Sequence, residues 1–393
     1  MKRLFYTLLF CLPCVLIACG GSDDTLGGDD NPPVVVPPDE ETVDSRLLYN
    51  GIRLPEQWPP VRSSSSELEK GMSPFYLSNK PSVINISVGR QLFVDNFLIE
   101  STNLKRTFYY PEYYSGNPIL TPEQDWEKTG TKGAAFAAPF SDGVWYDEKE
   151  GKYKMWYMAG GGSYATNGAG ITCYAESTDG IRWTKPTLSI VAGTNIVDYN
   201  SERDASVIWM DKQESNASKR YKMFLVARES GKWRYHYKTS PDGKVWRAAA
   251  QSEPIADRST VYKNPFRNVW VYSMRHNVRV NANKLVRARD YNENADPEAG
   301  TKKAEALLSA FWFGPWANEQ RHTDYPNIAP AIYNQDATPY ESIMLGFFSV
   351  WQGPENDVCA SDNVIKRNQV MVGYSRDGYS WFREDMNPFH AVN

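Results

Sequence analysis

The chain has 393 residues, 23% of them charged and 13% aromatic, with a formal net charge of −4. The first 44 residues carry two bases and eight acids, which leaves 41 bases and 39 acids on the rest. A near-neutral body of that size excludes a strongly basic surface and so predicts no nucleic-acid partner.

Residues 1–18 read as a signal peptide. Lys2 and Arg3 form a basic start, and LFYTLLFCLPCVLIA is an apolar run too short and wrongly flanked for a spanning helix. The run ends in LIAC, which resembles the lipobox of bacterial lipoproteins. The resemblance implies cleavage before Cys19, lipidation of its thiol, and a membrane partner through that lipid. Residues 19–45, which continue after Cys19 as GGSDDTLGGDDNPPVVVPP, hold too little apolar surface to order themselves and are predicted to be a tether. Acids just behind the lipidated cysteine resemble surface-export signals. They imply an outer-membrane lipoprotein exposed at the cell surface or facing the periplasm. Residues 46–83 are expected to be an irregular extension. Beyond Cys19 only Cys173 and Cys359 survive processing, as one disulfide or as two free thiols.

Residues 84–393 are predicted to form one all-β domain. Runs such as YKMWYMA, YKMFLVA, NVWVYSM and SIMLGFFSV are rich in aromatic and β-branched residues, and long helical periodicity is nearly absent. The one helix candidate is TKKAEALLSAFWF, residues 301–313, as a short helix or a loop insertion. The pattern S-x-D-G-x-x-W occurs three times, ending at Trp183, Trp246 and Trp381. Ser177 and Ser240 are 63 residues apart, and Ser240 and Ser375 are 135 apart, so the period is about 65 with one degenerate copy near residue 310. One period accommodates four strands and their loops, which is a β-propeller blade. Asp-Gly supplies a tight turn, so these motifs are read as structural.

The blades share a grammar of strand, polar turn and strand. Asp147, Asp211 and Asn264 fall at the same turn, with the fourth copy less certain in register. In a propeller the first strand of each blade lines the central channel. Asp142, Arg203 with Asp204, and Asp257 with Arg258 precede the first strands of three blades, while Asp336 and Glu341 are expected to flank the turn of the fourth. Carboxylates from successive blades are thereby delivered towards one channel mouth. Residues 135–393 account for four blades. Residues 84–127 are expected to supply a strand or two of a fifth, and the chain to be truncated at its C-terminal end or else to close with four blades and an irregular N-terminal segment.

The blocks QLFVDNFLIE, GNPILTPEQDWE, APFSDGVWYDEKEGKYKMWYMA, DRSTVYKNPFRNVWVYSMR, YESIMLGFFSVW and YSRDGYSWFRED resemble a group of uncharacterised bacterial lipoproteins. That group is described as similar to the N-terminal domain of glycoside hydrolase family 32, and through it to the five-bladed β-propeller glycosidases of families 43 and 32. The resemblance spans about residues 91–390. It implies a five-bladed propeller with three catalytic acids from successive blades. Asp142 would then be the base or nucleophile, Asp204 the transition-state stabiliser, and Glu341 or Asp257 the acid. Arg203-Asp204 echoes that family's Arg-Asp-Pro motif with Ala205 in place of the proline, and its Asn-Asp-Pro and Glu-Cys contexts are absent.

Glycoside hydrolysis needs one protonated and one ionised carboxyl group, which neighbouring charges can separate in pKa. Arg258 and Arg275 suit a uronate or sulfate on the sugar, and His276 suits a hydrogen bond to ligand. His residues show no metal-ligand spacing and no glycine-rich phosphate loop occurs, so no cofactor is expected, with a structural Ca2+ left open. The expected function is a cell-surface glycoside hydrolase acting on a poly- or oligosaccharide. The alternatives are a non-catalytic surface glycan-binding lipoprotein, which would present a shallow aromatic platform, and an interaction propeller without convergent carboxylates.

Overall fold

The computed structural model describes residues 44–62, 72–128, 135–165, 170–199, 201–281, 284–306 and 308–389. The expected signal peptide, Cys19 and the expected tether up to residue 43 lie outside them.

Four antiparallel sheets follow one another along the chain. The first holds β1 (Ala137–Ala138), β2 (Val144–Asp147), β3 (Lys152–Ala159), β4 (Ile171–Ser177) and β5 (Ile196–Asp198). Both β1 and β2 pair with β3, so its inner strand is one strand interrupted at residues 139–143. The second sheet is β6 (Glu202–Met210), β7 (Tyr221–Glu229), β8 (Lys232–Ser240) and β9 (Arg247–Gln251). The third is β10 (Thr260–Asn264), β11 (Val269–Asn281), β12 (Lys284–Asn294) and β13 (Ala310–Phe313), and the fourth is β14 (Ala331–Tyr340), β15 (Ile343–Gly353) and β16 (Arg367–Ser375). The arrangement is that of an all-β propeller with four blades among the described residues. Residues 84–127 contribute no strand to a fifth.

The repeated motif closes the third strand of its blade. In each copy the serine hydroxyl accepts the glycine N–H at 2.9 Å, and the aspartate Oδ1 accepts two N–H groups just beyond. Gly180, Gly243 and Gly378 take φ of +72°, +74° and +75°, which favours glycine. The turn also joins blades. The Gly243 carbonyl accepts Trp156 Nε1 of the first blade at 2.6 Å, and the Gly378 carbonyl accepts the Tyr262 hydroxyl of the third at 3.0 Å. A Cβ at Gly243 would run into the Trp156 ring. Gly243→Ala is therefore expected to cost about 2 kcal/mol or more, read as a lower urea midpoint. An unchanged midpoint would mean that the indole yields and the turn tolerates a side chain. The degenerate copy lies after Asn294, where a short helix, Pro297–Lys303, is inserted behind the Asp296 cap. The expected helix at 301–313 is thus misplaced: the helix comes earlier, and AFWF is the fourth strand of the third blade.

Aromatic side chains fill the gaps between blades. Trp156, Tyr174 and Tyr221 pack between the first and second, Phe224, Trp270 and Tyr272 between the second and third, and Tyr262, Phe348 and Trp381 between the third and fourth. Such pairs add to the area they bury. Residues 44–62 and 72–124 run largely as coil, with one helical turn at Phe75–Ser78. A second turn, Asp125–Lys128, meets the first blade, where Glu127 accepts the Tyr157 hydroxyl and Trp126 Nε1 donates to Asn195 Oδ1. Arg376 of the last repeat motif is buried against Asp95 of QLFVDNFLIE, with Nη2 2.8 Å from Oδ1. Trp58 stacks under Arg267 and against Tyr379. Cys173 and Cys359 are both free thiols, Cys173 buried.

Where the fourth blade faces the first, packing gives way to a cavity of about 560 Å3. Phe347 and Val370 line one side, Val144 and Trp145 the other, and Ser141 and Asp336 lie at its polar end.

Candidate active site at the channel mouth

The inner strands bring their leading residues together at one end of the channel, and the contacts of Asp142, Asp204 and Ser141 cross from blade to blade. Asp142 sits in the break between β1 and β2, where its carbonyl accepts Ile208 N–H of the second blade at 2.7 Å. Its carboxylate is fully buried and accepts Arg203 Nη2 at 2.9 Å, while Arg203 Nη1 reaches Thr172 Oγ1. Burial pushes the Asp142 carboxyl upward, against the pull of Arg203. Arg203 and Asp204 do not precede the strand as expected but belong to β6, at a register shift between Arg203 and Ser206. A bulge of this kind re-aims side chains, and here the two neighbours bond to different blades.

Asp204 turns towards the third blade. Its Oδ2 accepts Arg258 N–H at 2.7 Å and its Oδ1 lies 3.1 Å from Arg258 Nη2. Arg258 takes φ of +57°, a left-handed conformation uncommon outside glycine. Its guanidinium lies 4.5 Å from the Phe140 ring of the first blade and 5.2 Å from the Tyr333 ring of the fourth. One side chain thereby spans three blades. Asp257, on the same loop, pairs with Arg275 of β11 at the rim.

Asp336 is the fourth blade's contribution. It lies within β14, not beside its turn, opposite Phe347 of β15. Ser141 Oγ donates to Asp336 Oδ2 at 3.0 Å and Asn334 Nδ2 donates to the same oxygen at 2.7 Å. Burial, opposed by these bonds and by Arg289 and reinforced by the Asp142 charge, pushes the Asp336 carboxyl up to about 6.

Glu341 is not part of this mouth. It occupies the β14–β15 turn, the fourth equivalent of Asp147, Asp211 and Asn264, and its carboxylate accepts Arg90 Nη2 at 2.6 Å. The assignment of Glu341 as a catalytic acid is corrected accordingly. His276 also points elsewhere. It shares a strand face with Met274, opposite that of Arg275, and donates from Nδ1 to the buried Asp290 at 2.9 Å, which raises its pKa. Sequence reading missed Ser141, Asn334, Arg287, Arg289 and Tyr333. Among the described residues no three His, Cys, Asp or Glu side chains are grouped to hold a metal.

No family model matches the chain, and no curated protein matches it. Similar solved structures include a fructofuranosidase from Schwanniomyces occidentalis complexed with fructosylnystose, at 13% identity and a TM-score of 0.42 over 68% of this chain and 47% of that one. A putative glycoside hydrolase from Bacteroides ovatus is similar at 14% identity and a TM-score of 0.40, over 73% of this chain and 84% of that one. An α-L-arabinanase from Cellvibrio cellulosa complexed with arabinohexaose follows at 7% identity and a TM-score of 0.39, over 66% and 80%. The chain spans about half the length of the first of these. Likenesses this distant say nothing of this chain's chemistry.

Proposed function

We propose that the protein is a glycoside hydrolase acting on a poly- or oligosaccharide, held at the cell surface through a lipid on Cys19. The observation that carries the reading is the Asp336 carboxyl, raised to about 6 at the polar end of an aromatic-lined cavity. A carboxyl group of that kind is protonated in mildly acidic solution and can serve as the general acid to a leaving glycosidic oxygen. Asp204 supplies the second carboxylate, oriented by Arg258. Asp142, fully buried against Arg203, is a positioning residue that raises Asp336 and fixes the second blade. Glycosidic chemistry asks for such a division between an acid and a carboxylate.

On whichever glycan a screen of polysaccharides and aryl glycosides identifies, Asp204→Asn is expected to lower kcat by roughly 100-fold or more. Full activity in that variant would remove Asp204 from the mechanism.

A further inference from the structure

The hairpin of β11 and β12, the second and third strands of the third blade, is long, with 13 and 11 residues in its strands. Its face towards the fourth blade is basic. Arg275 and Arg289 are cross-strand partners, and Asn277 and Arg287 are the next pair on that same face. Arg258 joins them from the loop below, its carbonyl accepting Arg289 Nη1 at 2.8 Å. Of these four guanidinium groups, Arg258 and Arg275 are bonded to carboxylates. Arg289 is fully buried and spends its donors on Ser273 and the Arg258 carbonyl.

Arg287 differs from the other three. Among the described residues it has neither an ion-pair nor a hydrogen-bond partner. It lies 5.2 Å from the Trp351 ring and 5.8 Å from the Tyr333 ring, the latter shared with Arg258. The Nε atoms of Arg258, Arg275 and Arg287 are all buried without an acceptor. Burial together with the Arg287 charge lowers the pKa of Arg275, as expected of like charges gathered at one place. Asp204 and Asp257 relieve two of these three charges, and among the described residues the charge of Arg287 is the one left without an anion beside it. Aromatic faces beside planar guanidinium groups add a surface on which a sugar ring can stack.

We infer that Arg287, with Arg258 and Arg275 beside Tyr333 and Trp351, forms an anion-recognition subsite for a carboxylate or sulfate ester borne by the sugar chain. The inference rests on the carbohydrate reading of this mouth and names its substrate class as acidic glycans. Arginine forks meet both groups with paired charge-assisted hydrogen bonds.

The test uses the full-length chain and two matched pairs of probes: polygalacturonate with its methyl ester, and dextran sulfate with dextran. Titration calorimetry is expected to show one acidic member bound about tenfold or more tightly than its neutral partner, with the preference fading at high salt. Preference within the first pair assigns a carboxylate, and within the second a sulfate ester. Arg287→Gln should cost the acidic glycan roughly 10-fold or more. Arg287→Lys, which keeps the charge without the fork, should fall between and serves if the glutamine variant does not fold. Equal affinity within both pairs, or an Arg287→Gln protein that binds as the parent does, overturns the inference. Hydrolysis of neutral glycans without acidic preference would refute this subsite and leave the hydrolase standing. Acidic binding lost with Arg287, but without turnover of any glycan, would do the reverse.

Discussion

Asp336→Asn is expected to slow hydrolysis by roughly 100-fold or more and to make the protein more stable above pH 6. The two effects share one cause. With its carboxyl raised to about 6, Asp336 stays protonated in the folded chain over a range where the unfolded chain has already released the proton. Stability of the parent therefore falls as pH rises from about 4 to about 6 and is level above that. The full penalty is at most about 3 kcal/mol, reduced by the water that the cavity admits. Asparagine carries no charge, and its side-chain oxygen can still accept from Ser141 and Asn334. The stability gap between variant and parent, followed by urea unfolding, should therefore open between about pH 4 and 6 and stay open at higher pH. A variant equally destabilised at every pH would show that Asp336 is held by its hydrogen bonds and not displaced by burial. The activity loss should be roughly 100-fold or more, as for removal of a general acid.

Arg203→Met is expected to cost about 3–5 kcal/mol, because it strands the buried Asp142 carboxylate. The paired replacement Arg203→Met with Asp142→Leu should restore most of that loss, since a buried ion pair contributes little beyond what well-packed apolar groups supply. Thermal unfolding of both variants reads this directly. If the double variant is no more stable than the single one, the pair is not an isolated couple, and Thr172 or the bulge in β6 carries part of the energy. Activity should be reduced in both, because the Asp142 charge contributes to the raised pKa of Asp336.

The blades were legible because their sequence signals are local. Ser177, Ser240 and Ser375 mark the same turn through hydrogen bonds made within five residues, so a short pattern contains the whole device. Asp142, Asp204 and Asp257 could be counted back from the turn after each inner strand, although Asp204 falls inside β6 and not before it. The fourth blade defeated that logic. YNQDA has turn-forming residues but continues as β14, with a register shift between Ile332 and Asn334, and the true turn lies at Glu341 with φ of +53°. Asp336 thus moved into the mouth and Glu341 out of it. Arg287 was invisible for another reason. Alternating charge along β12 looks like a solvated edge, and only the packing of the third blade against the fourth sets Tyr333 and Trp351 beside it. The fully buried Arg289 likewise has no local signature, since its acceptors are Ser273 and the carbonyl of Arg258.

The most direct test of the central claim is the release of new reducing ends from a glycan panel by the full-length parent, beside Asp336→Asn, at mildly acidic pH. The account requires fragments from the parent on at least one glycan and release slowed by roughly 100-fold or more in the variant. Glycan binding without fragments from the parent, or equal fragmentation by both proteins, would contradict it.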